Sequence, residues 1–170
     1  MKVRTALAAA AAATLVAVPS ALAHVTANPG TAPAGSFAKI DFRVPNERDT
    51  ASTRKVTVRF PEGVFFVSFK VKPGWTRTIR WAKVDPPASP FGAPITKRIA
   101  SVTWSGGRIR PNEFDEFSVS MLIPSKRGTT LLFPTTQFYG GGEVVTWGDA
   151  RADGEHPAPR VRITKARSEG

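Results

Sequence analysis

The stretch that decides the fold reads FSVSMLI and runs from Phe117 to Ile123. Its apolar side chains occupy every second position and alternate with serines, the period of a β-strand with one buried and one solvated face. The same alternation returns in residues 40–44, 56–60, 79–81 and 102–104. Prolines and glycines separate these segments, and no window has the period of an amphipathic helix. We therefore predict an all-β domain of about eight to ten strands, an antiparallel β-sandwich that is immunoglobulin-like or cupredoxin-like, with an up-and-down barrel as the alternative.

The composition excludes several kinds of chemistry. The chain has 170 residues, no cysteine and two histidines, His24 and His156. Without cysteine there is no disulfide framework, thiolate nucleophile, zinc knuckle or iron–sulfur cluster. Two histidines leave no room for a three-histidine zinc site, so any histidine chemistry depends on His24, His156 or both. The length is that of one domain with a core of its own.

The first 23 residues have the pattern of a secretory signal peptide. A short basic start is followed by an apolar run over residues 6–18 and by an Ala-x-Ala ending at Ala23. The apolar run falls short of the roughly 20 residues that span a bilayer. We predict cleavage between Ala23 and His24 and an exported protein, secreted or held in the cell envelope, with no membrane anchor in its mature form.

The chain is basic, with 24 Lys and Arg against 13 Asp and Glu and a net charge of +11. Loss of Lys2 and Arg4 with the signal peptide lowers this to +9. The basic residues are scattered over alternating strand positions, so we expect no nucleic-acid partner. Attraction to an anionic envelope leaves an alternative function open: an adhesion or interaction sandwich that binds anionic polymers without metal.

Cleavage before His24 would make this histidine the first residue, with two nitrogen donors. Its free amine and its ring nitrogen can close a chelate ring on one metal ion. Such a nitrogen-rich arrangement suits Cu(II), which lies at the top of the divalent affinity order. Met121 is the only methionine outside the signal peptide, which excludes a methionine-rich Cu(I) site.

Further ligands are sought among carboxylates, and the strongest acidic cluster is the segment NEFDEF at residues 112–117. Strand parity places Glu116 on the face opposite the buried Phe117, whereas Glu113 shares the core parity or lies in the turn before the strand. From the local sequence alone, an ion pair with a basic residue is the better account of Glu116.

Several motifs together resemble one known family. They are the start His24-Val25-Thr26, the triplet Pro73-Gly74-Trp75, the segment Glu113–Phe117, and Pro134-x-x-Gln137-x-Tyr139 followed by Val144–Trp147. In this order they resemble the YcnI-type family (DUF1775) of exported bacterial copper proteins, from His24 to about Asp149.

The resemblance implies a cupredoxin-like sandwich that binds Cu(II) through a single-histidine brace, with a glutamate and a nearby tryptophan. The brace falls on His24, the carboxylate on Glu116 with Glu113 as second choice, and the tryptophan on Trp147. An indole nitrogen has no free lone pair, so Trp147 would lie beside the ion and exclude water. Three glycines, Gly140–Gly142, replace the turn that usually precedes the tryptophan strand.

His156 lies in a polar stretch near the end of the chain, and we do not expect it to fold back beside His24. We predict a sandwich over residues 24–150, with a long extended loop at 85–94. A polar tail over 151–170 adds at most one edge strand, at 161–164. The predicted function is Cu(II) binding for copper homeostasis, storage or delivery, with another exported copper protein as a partner. We expect no enzymatic activity, because an oxidase or oxygenase usually needs more than one histidine ligand.

Overall fold

The computed structural model describes residues 24–166, a range in which every regular element is a β-strand. The strands are β1 Thr26–Asn28, β2 Thr31–Pro33, β3 Phe37–Pro45, β4 Thr53–Arg59, β5 Phe65–Phe69, β6 Thr76–Ala88, β7 Ile95–Ile109, β8 Phe114–Leu122, β9 Thr130–Leu132, β10 Thr135–Tyr139, β11 Val144–Trp147 and β12 Arg160–Thr164. The predicted signal peptide lies outside the described residues. Within them, no helix of the length and apolarity needed to cross a membrane occurs.

Two antiparallel sheets form the sandwich. One has four strands in the order β1-β3-β8-β5, and the other has five in the order β11-β10-β4-β7-β6. A smaller third sheet, β2-β12-β9, contains one parallel pair, between β12 and β2. The predicted all-β sandwich is confirmed.

The alternating segments bury the side chains that their period predicts. In β3 the side chains of Ile40, Phe42 and Val44 are fully buried, and the register places Phe42 opposite Phe117 of β8. From the facing sheet, buried residues such as Trp104 complete the same core, since Trp104 and Phe117 are in ring contact at 4.8 Å. Burial of these large apolar side chains stabilises the fold without disulfides.

Three segments differ from the sequence predictions. Trp81 was expected to face the core, but a register shift between Arg80 and Trp81 leaves its side chain exposed. Such a bulge re-aims the side chains that follow it. Strand β6 extends to Ala88, so the predicted loop at 85–94 shrinks to 89–94; its prolines are tolerated because β6 is an edge strand. The C-terminal strand β12 is central in its sheet rather than at an edge.

Strand β3 gives the sandwich two distinct ends. We refer to them as the Pro45 end and the Phe37 end, after the last and first residues of β3. At about 3.3 Å per residue, this strand separates them by about 26 Å.

Candidate metal site

His24, Trp147 and His156 form an aromatic cluster near the Pro45 end. The centroid of the His24 ring lies 5.4 Å from that of Trp147, and the His156 ring lies 5.1 Å from the same indole. Trp147 is the last residue of β11 and is buried, whereas both histidines are partly exposed. The edge strands β1 and β11 of the two sheets therefore approach each other here, and two imidazoles flank one buried indole.

Gln137 holds this indole in place from inside the core. The side chain of Gln137 is fully buried in β10. Its Oε1 accepts a hydrogen bond from Nε1 of Trp147 at 3.2 Å. Its Nε2 donates to the carbonyl of Pro45 at 2.9 Å and to Oγ1 of Thr53 at 2.6 Å. One amide thus joins the indole to the last residue of β3 in the opposite sheet.

Glu47 follows directly in the loop after β3. The buried Asn46 shapes this loop, because its Nδ2 donates to the carbonyls of Ala51 and Ile109 and its Oδ1 accepts from the backbone N–H of Arg48. Desolvation by the surrounding protein raises the pKa of the Glu47 carboxyl above its usual range, although the residue keeps an exposed side. Positive charge on Arg48 and on the two histidines acts in the opposite direction. Glu47 therefore shares the electrostatic environment of both imidazoles.

The glycine-rich turn before Trp147 is tied to this loop. Tyr139 N–H donates to the carbonyl of Glu143 at 2.9 Å and closes the turn, in which Gly141 and Gly142 have φ of 93° and 95°. Arg48 donates through Nε and Nη2 to the Glu143 carboxylate, with a shortest contact of 2.6 Å. The departure from the family's usual turn therefore leaves β11 paired with β10, with Trp147 opposite Thr135.

His156 folds back to Trp147, contrary to the sequence expectation, because Asp149 holds its loop. The backbone N–H of His156 donates to Oδ2 of Asp149, and its carbonyl accepts from the N–H groups of Gly148 and Asp149. Gly154 packs so tightly that an added Cβ would lie 2.5 Å from Asp149 Oδ2. The loop at 148–158 is thus organised by hydrogen bonds and close packing.

The two glutamates predicted from the sequence have other contacts. Glu116 of β8 lies opposite Arg43 of β3, and Arg43 lies opposite Thr26 of β1. Glu116 is therefore two strands away from β1, a distance of about 10 Å. The Glu113 carboxylate accepts from the backbone N–H of Arg110 at 3.0 Å. The backbone of Glu113 adjoins the Glu47 loop, since its carbonyl accepts from the N–H of Asn46. The structure brings together His24 and Trp147 of the predicted set, and adds Glu47, Gln137 and His156.

A sequence signal for Glu47 exists in the strand pairing. Because β1 and β3 are antiparallel, with Thr26 opposite Arg43, the residues just before β1 lie next to those just after β3. His24 precedes β1 and Glu47 follows β3. Recognition of this pairing would place Glu47 near His24, whereas the sequence around it, PNERD, has the composition of a solvated loop.

Within residues 24–166, no three His, Asp or Glu side chains are arranged to hold a metal ion. This end of the sandwich offers two imidazoles beside the indole and the carboxylate of Glu47 in the neighbouring loop. These are nitrogen and oxygen donors of the kind that bind divalent transition metals.

Fold and site together define an immunoglobulin-like β-sandwich with two imidazoles packed on a buried indole at one end. The chain belongs to the family described as a domain of unknown function (DUF1775), whose model matches residues 24–163. It is 34% identical to a protein from Nocardia farcinica whose crystal structure is described as having an immunoglobulin-like fold. That similarity has a TM-score of 0.63 and covers 83% of this chain and 98% of the other.

A curated relative is the copper-binding protein CutI of Bacillus subtilis (strain 168). The two sequences are 29% identical over 148 residues, which is 85% of this chain. The chain spans 65% of the length of that relative.

Proposed function

We propose that the protein is an exported Cu(II)-binding protein whose ion is held by the amine and ring nitrogen of His24 and by the carboxylate of Glu47, beside Trp147. The observation that carries the proposal is the contact between the His24 ring and the buried indole of Trp147, with Glu47 in the field of the same imidazole. Two comparisons support it: the relative is named for copper binding, and the family match begins at His24.

The donor set fits this ion. An imidazole, an amine and a carboxylate are ligands that Cu(II) accepts in a tetragonal arrangement. Side chains of the described residues do not supply three ligands of the usual kinds. The amine that signal cleavage would free at His24 adds a donor on the same residue, so copper binding is expected to depend on that cleavage.

Trp147 gives one wall of the site without coordinating the ion, because its Nε1 carries a proton that is already donated to Gln137. A fixed, buried indole excludes water from one side of the His24 ring. We propose that His156 packs against the indole of Trp147 and helps to hold it in place. His156 is not required as a ligand, since the amine and ring of His24 already provide two nitrogens.

Glu47 is proposed as the carboxylate in preference to Glu116 and Glu113. Its charge interacts with that of His24. Glu116 lies two strands away from β1 in the register of the sheet, and the carboxylate of Glu113 is engaged with Arg110. The family resemblance implies a glutamate, and Glu47 lies in the loop after β3, next to the residues that precede β1.

The proposed role is storage, delivery or homeostasis of copper outside the cytoplasm, without catalysis. Nitrogen and oxygen ligands hold Cu(II) better than Cu(I), so reduction of the ion would weaken binding and provide a release step. Peroxide-dependent turnover by the copper-loaded protein would contradict a purely binding role.

The test is a copper titration of the processed protein, with its N-terminus established by mass spectrometry. Calorimetry and electron paramagnetic resonance should give one Cu(II) per chain with nitrogen ligands. A variant with two extra residues before His24 should lose this site while its circular dichroism is unchanged. Equal binding by the extended variant would refute the brace.

Glu47→Gln and Glu116→Gln form a matched pair that identifies the carboxylate. We expect Glu47→Gln to weaken binding about 10-fold or more, because a carboxylate ligand contributes at least as much as a charged hydrogen bond of about 1.5 kcal/mol. Glu116→Gln should leave the affinity unchanged. If Glu116→Gln weakens binding and Glu47→Gln does not, the ligand is Glu116, as the sequence motif indicates.

A further inference from the structure

Four large aromatic side chains lie exposed near the Phe37 end of the sandwich, and we call them the aromatic patch. They are Phe37, Phe66, Trp81 and Phe91, which are 57%, 48%, 61% and 64% exposed. The three phenylalanine rings contact one another, with centroids 5.4 to 6.4 Å apart. Phe66 and Trp81 line one shallow groove of about 230 Å³. Contiguous exposed apolar surfaces mark interaction sites, whereas apolar residues that are exposed singly need no such explanation.

The backbone is shaped to present these rings. Phe66 has a φ of 51°, a left-handed backbone conformation that is strained for a bulky residue. The strain accompanies a register shift between Phe65 and Ser68 in the pairing of β5 with β8. Phe91 lies in the turn at the tip of the β6–β7 hairpin, which Gly92 closes by donating to the carbonyl of Ser89 at 3.2 Å. Strained backbone of this kind is typical of functional surfaces.

Basic side chains surround the patch. Lys97 and Arg98 line the groove with Phe66 and Trp81. The loop after β8 carries the exposed Lys126 and Arg127, and it starts beside β3 because Ile123 N–H donates to the carbonyl of Ser36.

Strand β12 ends at this same end of the sandwich. The N–H of Ala34 donates to the carbonyl of Thr164, and the exposed Lys165 follows directly. The carboxylates nearby are Glu62, 3.6 Å from Arg98, and Asp85, 2.7 Å from Lys83. Among the described residues, cations therefore outnumber anions around the aromatic patch.

We propose that this end of the protein docks on the surface of an anionic lipid bilayer. Aromatic rings partition into the headgroup region of a membrane, and flanking Lys and Arg side chains interact with anionic headgroups. A second copy of the chain fits the patch less well, because self-association would bring two positively charged rims together. Docking through the Phe37 end leaves the cluster of His24, Glu47 and Trp147 at the far end of β3, facing away from the membrane. The proposal does not depend on copper binding.

The test is sedimentation of the processed, metal-free protein with vesicles of phosphatidylcholine alone or with about one third phosphatidylglycerol. Binding is expected to the anionic vesicles and to fall as salt rises from 0.1 to 1 M, over which the screening length drops from about 10 to about 3 Å. Trp81 provides a specific signal, since brominated lipids should quench its fluorescence. The buried Trp104 and Trp147, and Trp75, whose ring packs on Phe117, should be unaffected. The variant Trp81→Phe should lose this quenching and keep binding.

The variant Phe37→Ser/Phe91→Ser should bind anionic vesicles at least about 10-fold more weakly, since each exposed ring loses apolar contact with the interface. Phe114→Ser is the matched control, because Phe114 is 54% exposed but lies opposite Pro45 in the register, at the other end of β3. Phe114→Ser should bind anionic vesicles as the wild type does. Thermal unfolding of both variants shows whether they are equally stable when binding is compared.

Three outcomes would overturn the proposal. One is equal loss of vesicle binding in Phe114→Ser and in Phe37→Ser/Phe91→Ser. Another is binding to a soluble polyanion that matches vesicle binding and is insensitive to the phenylalanine substitutions, which would assign the surface to anionic polymers. The third is a concentration-dependent dimer that Phe37→Ser/Phe91→Ser abolishes, with no vesicle binding by the wild type.

Discussion

Replacement of Gln137 by leucine tests how the candidate site is held to the core. Gln137→Leu keeps the size of the side chain but removes every hydrogen bond of the amide. The indole N–H of Trp147 and the carbonyl of Pro45 then lose this partner in a buried setting. Each unsatisfied buried group costs about 1–3 kcal/mol, so we expect the loss of both partners to lower the free energy of unfolding by about 2–6 kcal/mol.

This is a large part of the stability of a domain, which is typically about 5–15 kcal/mol. At about 3 °C per kcal/mol for a chain of this size, the midpoint of thermal unfolding should fall by about 6–18 °C. Urea unfolding followed by circular dichroism gives the free energy, and an unchanged slope with denaturant shows that the loss is one of stability.

A double-mutant cycle with Trp147→Phe isolates the bond between the two side chains. Trp147→Phe removes the indole donor, so after it Gln137→Leu should cost less than in the wild type, with a coupling energy of about 0.5–2 kcal/mol. A loss below about 0.5 kcal/mol for Gln137→Leu alone, or additive effects in the cycle, would refute the role of Gln137 as the link between sheet and indole.

Three further changes have defined expectations. Gly154→Ala places a Cβ 2.5 Å from Oδ2 of Asp149, so the loop should shift and the thermal midpoint should fall by several degrees, in step with changed fluorescence of the site. The hydrogen bond from Arg48 lowers the pKa of Glu143 below its ordinary value of 4.5. This carboxylate therefore stabilises the fold at pH values above 4.5, and the stabilisation is lost as the pH falls through the lowered pKa. Glu143→Gln should therefore make stability less dependent on pH on the acid side. Phe66→Asn relieves a φ of 51° at an exposed position and should raise the free energy of unfolding by about 0.5–1 kcal/mol in urea titrations.

Matched variants control for these changes. Gly148→Ala meets only Thr146 Cγ2 at 3.4 Å and should be tolerated, so equal damage from both glycine substitutions would contradict the packing argument for Gly154. Phe91→Asn removes an exposed ring without a positive φ and should leave stability unchanged. A gain there equal to that of Phe66→Asn would mean that exposure, and not backbone strain, causes the effect. An unchanged acid profile in Glu143→Gln would mean that the ion pair with Arg48 does not contribute in solution.

The strands and the core could be predicted from the sequence because strand periodicity is local. Alternation at Ile40, Phe42 and Val44 requires only that one face of a strand be buried, and these side chains are indeed fully buried. The prediction was wrong at Trp81, where a bulge reverses the face, since nothing in the alternation marks the extra residue. It was also wrong at residues 85–88, where the prolines lie in the edge strand β6, at a register shift between Lys83 and Ala88 that already interrupts the ladder.

For the candidate site, the sequence predicted only those residues that can be recognised one at a time. His24 was identified by its position after the expected cleavage point, and Trp147 by its motif; both lie in the cluster. The carboxylates Glu113 and Glu116 were chosen because acidic residues are concentrated there in the sequence. Glu47 and His156 were not predicted, since the position of Glu47 depends on which strands pair and the contact of His156 with Trp147 depends on a loop organised by Asp149.

The sequence by itself determined that the chain is a β-sandwich and that His24 and Trp147 are candidate site residues. Only the tertiary structure decided which groups meet them. The Gln137 bond to the Pro45 carbonyl joins residues 92 positions apart, and the Arg48 bond to Glu143 joins residues 95 apart. Such contacts arise when two sheets stack and their edges align, and local propensity and pattern contain no information about that alignment.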